Sequence, residues 1–486
     1  MFRNGILIMI ITLGSRVLGL VRTALIAYYF GATKFTDAYF SAFKISNFFR
    51  QLLGEGALGT VFIPIYNDRE KAVGVEKSKS LIYSILNLLF IFTTIITILM
   101  VVFSDNIINF IVTGYSEETK KIASTLLKIM AVYFVFIGLA GMISAILNNF
   151  KKFLIPASTS LLFNLAIIGG IIFYGKEYGV TAMAWGVVVG GLLQFLIVLP
   201  SFLKIVRRYS FKINFQDEDL KRIFILMLPM LLGIFARQIN SVVDQYFASH
   251  LATGGVSALE NATRIYNLPL GVFGISIATV IYPTLSRAIS NYEFDIVKKS
   301  LQRGLNFLMF LIIPSMGVLI FYANDLIKLV LGHGEFTQNS IRVTSESLIY
   351  YSIGLFFYTA VHLMSRAFYG MKDTKRPVIF SIISITINII LNALLINSMQ
   401  HRGLALATAI ASMVNFILLY LVFNRKYLKL DLMHIVKFKI KVSVSTGIAL
   451  GGSFYIDNIF IKLIAFALIY LAFWAWPLKK RGVDIF

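Results

Sequence analysis

The chain has 486 residues, 58% of them hydrophobic, with no cysteine and a formal net charge of +22 from 45 Lys and Arg against 23 Asp and Glu. The missing cysteine excludes disulfides, thiolate metal centres and cysteine nucleophiles. Five scattered histidines and the absence of HExxH, P-loop and GxSxG patterns give no footing for an enzyme, so none is expected. Nucleic acid is not the expected partner of this basic charge, because apolar runs of about 20 residues recur along the chain and match a bilayer crossing.

In chain order, spans are expected near 4–30, 36–66, 80–103, 122–149, 157–174, 180–203, 223–249, 257–286, 304–323, 341–369, 378–397, 403–423, 440–456 and 459–477. That is an all-α polytopic membrane protein with fourteen transmembrane helices. Lys and Arg fall in alternate loops, about 29 against about 6 in the others, which places both termini on the cytoplasmic side. Residues 1–30 are too long for a signal peptide and lack a small-residue cleavage site, so they read as a retained helix. Short amphipathic pieces near 105–113 and 325–332 are expected at the outer surface.

The chain repeats itself at an offset near 220. "AYFSAFKISNFFRQLLGEGALGTVFIPIY" (38–66) aligns with "ALENATRIYNLPLGVFGISIATVIYPTLS" (258–286), pairing Lys44 with Arg264, Asn47 with Asn267 and Gly54 with Gly274; Asp105 then pairs with Asp325 and Gly114 with Gly334. A repeat of six helices returns to its starting side, so two parallel repeats related by an axis along the membrane normal are expected, with two extra C-terminal helices. The lobes are 1–210 and 211–432, followed by 433–486. Lys437, Lys439 and Lys441, like the loop around Arg207, are expected against anionic lipid headgroups.

Arginines inside the spans are the main functional signal. Arg16, Arg22, Arg50, Arg237 and Arg264 lie on helices 1, 2, 7 and 8, and each costs about 2.5–3.5 kcal/mol at mid-bilayer. Each alone is explained by a carboxylate partner or by capped carbonyls. Together they outnumber the acids Asp37, Glu55, Asp244 and Glu260 on the same helices, which favours an anionic ligand such as a pyrophosphate, gripped bidentately. Arg16 and Arg22 stand about 9 Å and about 120° apart on one helix. Between and beside them Ser15, Gly19 and Thr23 form a small-residue face suited to close helix contact. "GEGALG" (54–59) is read equally as close packing or as a bend.

Asp244, Asn388, Asn392 and Thr408 could offer oxygens to a monovalent cation such as Na+, although such residues more often form interhelical hydrogen bonds. No other cofactor is expected.

The motifs "SRVLGLVR" (15–22), "TDAYFSAFKISNFFRQ" (36–51), "EGALGTVFIPIY" (55–66), "LPLGVFGISIATVIYPTLS" (268–286) and "GHGEFT" (332–337) together resemble the MurJ (MviN) family of lipid II flippases, in the exporter superfamily that also holds multidrug and polysaccharide-lipid carriers. The resemblance implies alternating-access transport of the undecaprenyl-pyrophosphate-linked peptidoglycan precursor to the outer leaflet, by a monomer whose partners are lipid II and membrane lipids. It implies that Arg16, Arg22, Arg50 and Arg264 are cavity arginines, that Asp37 and Glu55 are functional acids, and that the last two helices form a groove for the lipid tail. Arg237 is not a usual family position. Thr23 and Asn267 stand where relatives carry acids. An O-antigen or polysaccharide lipid flippase and a multidrug exporter are the rivals; the first usually lacks the extra helices, and a cationic-drug pathway should be acidic rather than basic.

Overall fold

The computed structural model describes residues 2–53, 57–207 and 209–481, without the side chains of a few helical positions. The chain packs as two compact units, Met1–Ser257 with Gly334–Phe336, and Ala258–His333 with Thr337–Phe486. Every described element is helical. The first unit holds α1 (Phe2–Phe30), α2 (Lys34–Leu53), α3 (Ala57–Val73), α4 (Val75–Val102), α5 (Ser104–Ile111), α6 (Glu117–Ala131), α7 (Tyr133–Asn149), α8 (Leu154–Tyr178), α9 (Val180–Val206), α10 (Glu218–Ala248) and the start of α11 (Gly255–Pro269). The second holds the rest of α11, a π-helical turn (Leu270–Gly274), α12 (Ile275–Ser290), α13 (Phe294–Phe321), α14 (Ala323–Leu331), α15 (Gln338–Ile353), α16 (Leu355–Gly370), α17 (Lys375–Met399), α18 (His401–Lys426), α19 (Leu432–Ser453) and α20 (Ile459–Arg481).

Among the described residues, eight helices are long and apolar enough to cross a membrane, or ten if each of two bent pairs is one span. The fourteen spans expected from sequence include helices that fall short of this. Charge accounts for two of these, since α2 carries Asp37, Lys44 and Arg50 and α19 carries Lys437, Lys439 and Lys441; in α20 the described apolar stretch, Ile459–Ala475, is short. Both bent pairs turn by 42°. At the break between α15 and α16, a Cβ on Gly354 would sit 2.6 Å from the Ala409 Cα, so α18 can approach there only because the residue is glycine.

In the first unit the core is apolar surface of α4, α6, α7 and α9, including Leu81, Leu127, Met130, Phe134, Ile146 and Val187. α10 packs into this unit although the repeat assigns it to the second half. The Arg69 guanidinium of α3 lies 2.6 Å from Asp217 and 3.1 Å from Asp219 at the start of α10, and near its end the Gln245 amide donates to Ser41 Oγ of α2 at 2.8 Å. The packing border at 257/258 therefore falls later than the repeat border at 210/211.

The second unit is centred on α13, α16 and α18, with Leu305, Leu308, Leu363, Met364, Leu419 and Phe423 inside. The two extra helices form a hairpin on α13. Trp474 is wholly buried between Phe310 and Phe438 and donates from Nε1 to Ser445 Oγ at 3.1 Å. Tyr470 donates to the Phe310 carbonyl at 2.7 Å. At the other end Lys462 meets Asp325 at 3.0 Å and lies over the Tyr322 ring.

Local signals recur at the repeat offset. Ser116 and Thr337 cap α6 and α15 in the same way, each accepting from the N–H three residues on. Asp105 and Asp325 occupy equivalent places with different partners: Asp105 takes the Ser124 hydroxyl and Lys128 of its own repeat, whereas Asp325 takes Lys462 of the appended hairpin. Ser345, the counterpart of Ser124 in the register set by the two caps, turns its hydroxyl to the Ile341 carbonyl at 2.7 Å instead.

Candidate functional site

Within the first unit, α8 fixes the position of α1. The buried Asn164 amide donates to the Ser15 carbonyl at 3.1 Å and lies 3.4 Å from its hydroxyl. One residue earlier, the Phe163 ring lies 5.9 Å from the Arg22 guanidinium carbon. Arg22 is buried and Arg16 is exposed, as their angular separation on one helix requires. Ser15 thus forms the expected close contact. Gly19 does not: a Cβ there would meet no described atom within 4 Å. The small-residue face is therefore corrected at Gly19, which has open space beside it, while Ser15 and the buried Thr23 lie on the packed side. Thr23 is buried and returns its hydroxyl to the Gly19 carbonyl at 3.0 Å, a neutral, locally satisfied side chain.

Arg50, half-buried in the last turn of α2, donates through Nε to Asn47 Oδ1. Asp37, at the other end of α2, is 3% exposed. Its Oδ2 accepts the Gly254 N–H at 2.6 Å, and its Oδ1 accepts the Ser257 N–H at 2.8 Å and the Ser257 hydroxyl at 2.6 Å. A carboxylate on these amides caps the positive end of α11. Gly254 has φ +88° with the Ala32 carbonyl oxygen 2.6 Å from where a Cβ would be, so only glycine allows this approach. The structure gives Asp37 a capping role. A further tie in this unit is the Glu335 N–H, which donates to the Tyr28 carbonyl at 2.9 Å. Glu55 lies outside the described residues, as does the side chain of Arg237 in α10.

In the second unit Arg264 is half-buried in α11, and its Nε is buried with no hydrogen-bond partner among the described residues. Asn267 is exposed. Arg366 of α16 was not singled out from the sequence; its guanidinium carbon lies 5.9 Å from the Tyr282 ring centroid. The available signal was the four-residue spacing of Tyr358, His362 and Arg366 within one helix.

Three of the four expected cation ligands come together. The Asn392 amide donates to Asn388 Oδ1 at 3.2 Å, the Asn388 amide to Thr408 Oγ1 at 3.4 Å, and the Thr408 hydroxyl to the Leu404 carbonyl at 3.1 Å. This is a buried hydrogen-bond seam between α17 and α18. Asp244 belongs to the first unit, where the Asn240 amide donates to it at 3.1 Å. No cluster of three His, Asp or Glu suited to a metal occurs among the described residues.

Comparison with known proteins addresses the family directly. A family model described as lipid II flippase MurJ matches residues 26–472. The chain is 36% identical over 415 residues to a probable lipid II flippase MurJ of Buchnera aphidicola subsp. Schizaphis graminum, covering 85% of this chain and 81% of that one. It is 32% identical over 488 residues to a counterpart from Haemophilus influenzae, covering 95% and 94%. A solved lipid II flippase MurJ in an inward-closed conformation matches with a TM-score of 0.85 at 32% identity, over 98% of this chain and 99% of that one. An inward-facing MATE multidrug resistance transporter of the MOP superfamily shares the fold, with a TM-score of 0.73 at 17% identity over 90% and 99%. Match along nearly the whole length, in sequence and in fold, places the chain in the MurJ family of lipid II flippases.

Proposed function

We propose that the chain is a lipid II flippase of the bacterial inner membrane, carrying the undecaprenyl-pyrophosphate-linked precursor from the inner to the outer leaflet without chemical conversion. Its family membership and the names of its relatives support this reading. The observation that carries the headgroup assignment is the buried Nε of Arg264, which has no hydrogen-bond partner among the described residues, because a desolvated guanidinium N–H lacking an acceptor costs about 1–3 kcal/mol until one arrives.

In this reading the pyrophosphate docks on Arg22, Arg50 and Arg264, with Arg16 and Arg237 adding positive field, while the prenyl tail stays in lipid against the α19–α20 hairpin. Alternating access then moves the headgroup. Asp37 acts through the α11 cap rather than on the substrate. Na+ coupling through Asp244, Asn388, Asn392 and Thr408 is the second part of the proposal: it calls for turning the amide seam so that its oxygens face the ion. Asp244→Asn should then abolish any sodium-dependent rise in the thermal midpoint, and an unchanged sodium response would remove this part.

The main test is complementation in cells depleted of their own flippase. Arg22→Ala and Arg264→Ala, at normal membrane levels, should each cut outer-leaflet lipid II at least about tenfold, the effect of losing one charge-assisted bond of about 1.5–3 kcal/mol. Undiminished flipping in both variants overturns the arginine assignment.

A further inference from the structure

Residues 209–217, between α9 and α10, form irregular backbone, and several of its polar groups are answered by α4. The Asn87 amide of α4 donates to the carbonyls of Ser210 at 3.0 Å and Lys212 at 3.2 Å, while its oxygen accepts the Tyr209 hydroxyl at 2.6 Å. The Asn214 N–H donates to Ser84 Oγ at 3.1 Å. The Tyr209 ring packs edge-on against Tyr83 of the same helix. A loop lying in water would leave such carbonyls to solvent; non-helical backbone near hydrocarbon needs protein partners instead.

The depth of Asn87 points the same way. α4 has 28 residues, about 42 Å of helix, against a hydrocarbon core of about 30 Å. Even if the whole excess of about 12 Å projects at the N-terminal end, the core begins about eight residues in, and Asn87 lies about 6 Å inside it. Lys77 and Lys79 fall in the projecting part. The loop that reaches Asn87 therefore lies at or below headgroup level.

What the loop turns outward fits that setting. Phe211 is 86% and Phe215 66% exposed, and Arg207 and Lys212 are exposed beside them. Aromatic rings partition to the headgroup–acyl boundary and basic side chains to lipid phosphates. We infer that residues 209–215 form an interfacial anchor, with Phe211 and Phe215 seated in the leaflet and Arg207 and Lys212 on the phosphates of anionic phospholipid.

Because the chain has no cysteine, Phe211→Cys and Phe215→Cys each give a single labelling site at an exposed position that supports no core packing. The full-length protein, labelled with NBD and placed in nanodiscs of phosphatidylethanolamine and phosphatidylglycerol, should show blue-shifted emission, strong quenching by shallow doxyl lipids, and several-fold weaker iodide quenching than a label at Lys71→Cys. Lys71 is exposed near the end of α3. Iodide quenching at 211 and 215 equal to that at 71 overturns the anchor. Replacing phosphatidylglycerol with phosphatidylcholine should reduce the blue shift in the labelled parent and not in a labelled Arg207→Gln/Lys212→Gln variant. Equal dependence on phosphatidylglycerol in both overturns the phosphate contact.

Discussion

Asp37 and Ser257 stand 220 positions apart, the repeat offset, and touch each other. Asp37→Ala leaves the Gly254 and Ser257 amides without their acceptor and should cost about 1–3 kcal/mol, read as a lower thermal midpoint in detergent. Asp37→Asn keeps one oxygen acceptor and should lose less; a midpoint equal to the parent in both variants removes the cap from the stability account. The sequence made Asp37 conspicuous as an acid in an apolar helix. It did not disclose the role, because the partners lie 217 and 220 residues away. Gly19 shows the reverse limit: its spacing from Ser15 reads as a packing face, and only the neighbouring helix decides that Ser15 packs and Gly19 does not.

At the scale of elements, the α19–α20 hairpin is held by aromatic packing at one end and by one ion pair at the other. Trp474→Ala should cost about 3–5 kcal/mol, as expected for emptying a fully buried aromatic site. The readout is limited proteolysis between α18 and α19, where cleavage should speed up in the variant; unchanged cleavage would show that the hairpin is held elsewhere. The loop between α16 and α17 is tied to the end of α18 through Asp373, which accepts from Tyr427 at 2.8 Å and from Arg376. Burial opposes ionisation of Asp373, but the Tyr427 and Arg376 hydrogen bonds outweigh it and hold its carboxyl below the ordinary 3.8. A carboxyl lowered by folding contributes stability that is complete above its ordinary value and is lost as pH falls through its folded value. The thermal midpoint should therefore fall below about pH 4, and Asp373→Asn should blunt that fall. An identical acid response in the variant would count against the tie.

For the whole molecule, the membrane class, the helical content and the duplication were all legible from apolar run lengths, loop charge and the 220-residue offset. Span number was less so, because helices that carry Asp37, Arg50 or Lys441 lose hydropathy to the charges that make them interesting. The packing border was not legible at all: α10 follows the repeat border in sequence, yet Arg69 and Gln245 bind it to the first unit. Transport of an anionic headgroup outward gains about 2.3 kcal/mol per charge from each 100 mV of inside-negative potential. Collapsing 100 mV should thus weaken the outward bias by up to about fifty-fold per charge crossing the full field. Flipping indifferent to valinomycin and potassium in proteoliposomes would exclude the potential as the driving force.

The unequal fates of Asp105 and Asp325 bear on ancestry. A duplicated pair of lobes begins with two identical flanks, either of which could host an added hairpin. Here Ser345 keeps the place of Ser124 but returns its hydroxyl to the Ile341 carbonyl at 2.7 Å, Ile349 stands in the place of Lys128, and the acid of the second copy is committed to Lys462. The first copy still closes on itself. Exchanging the lobes by circular permutation or chimera would strand the hairpin, so its docking on one copy acts as a ratchet that makes the two halves no longer interchangeable.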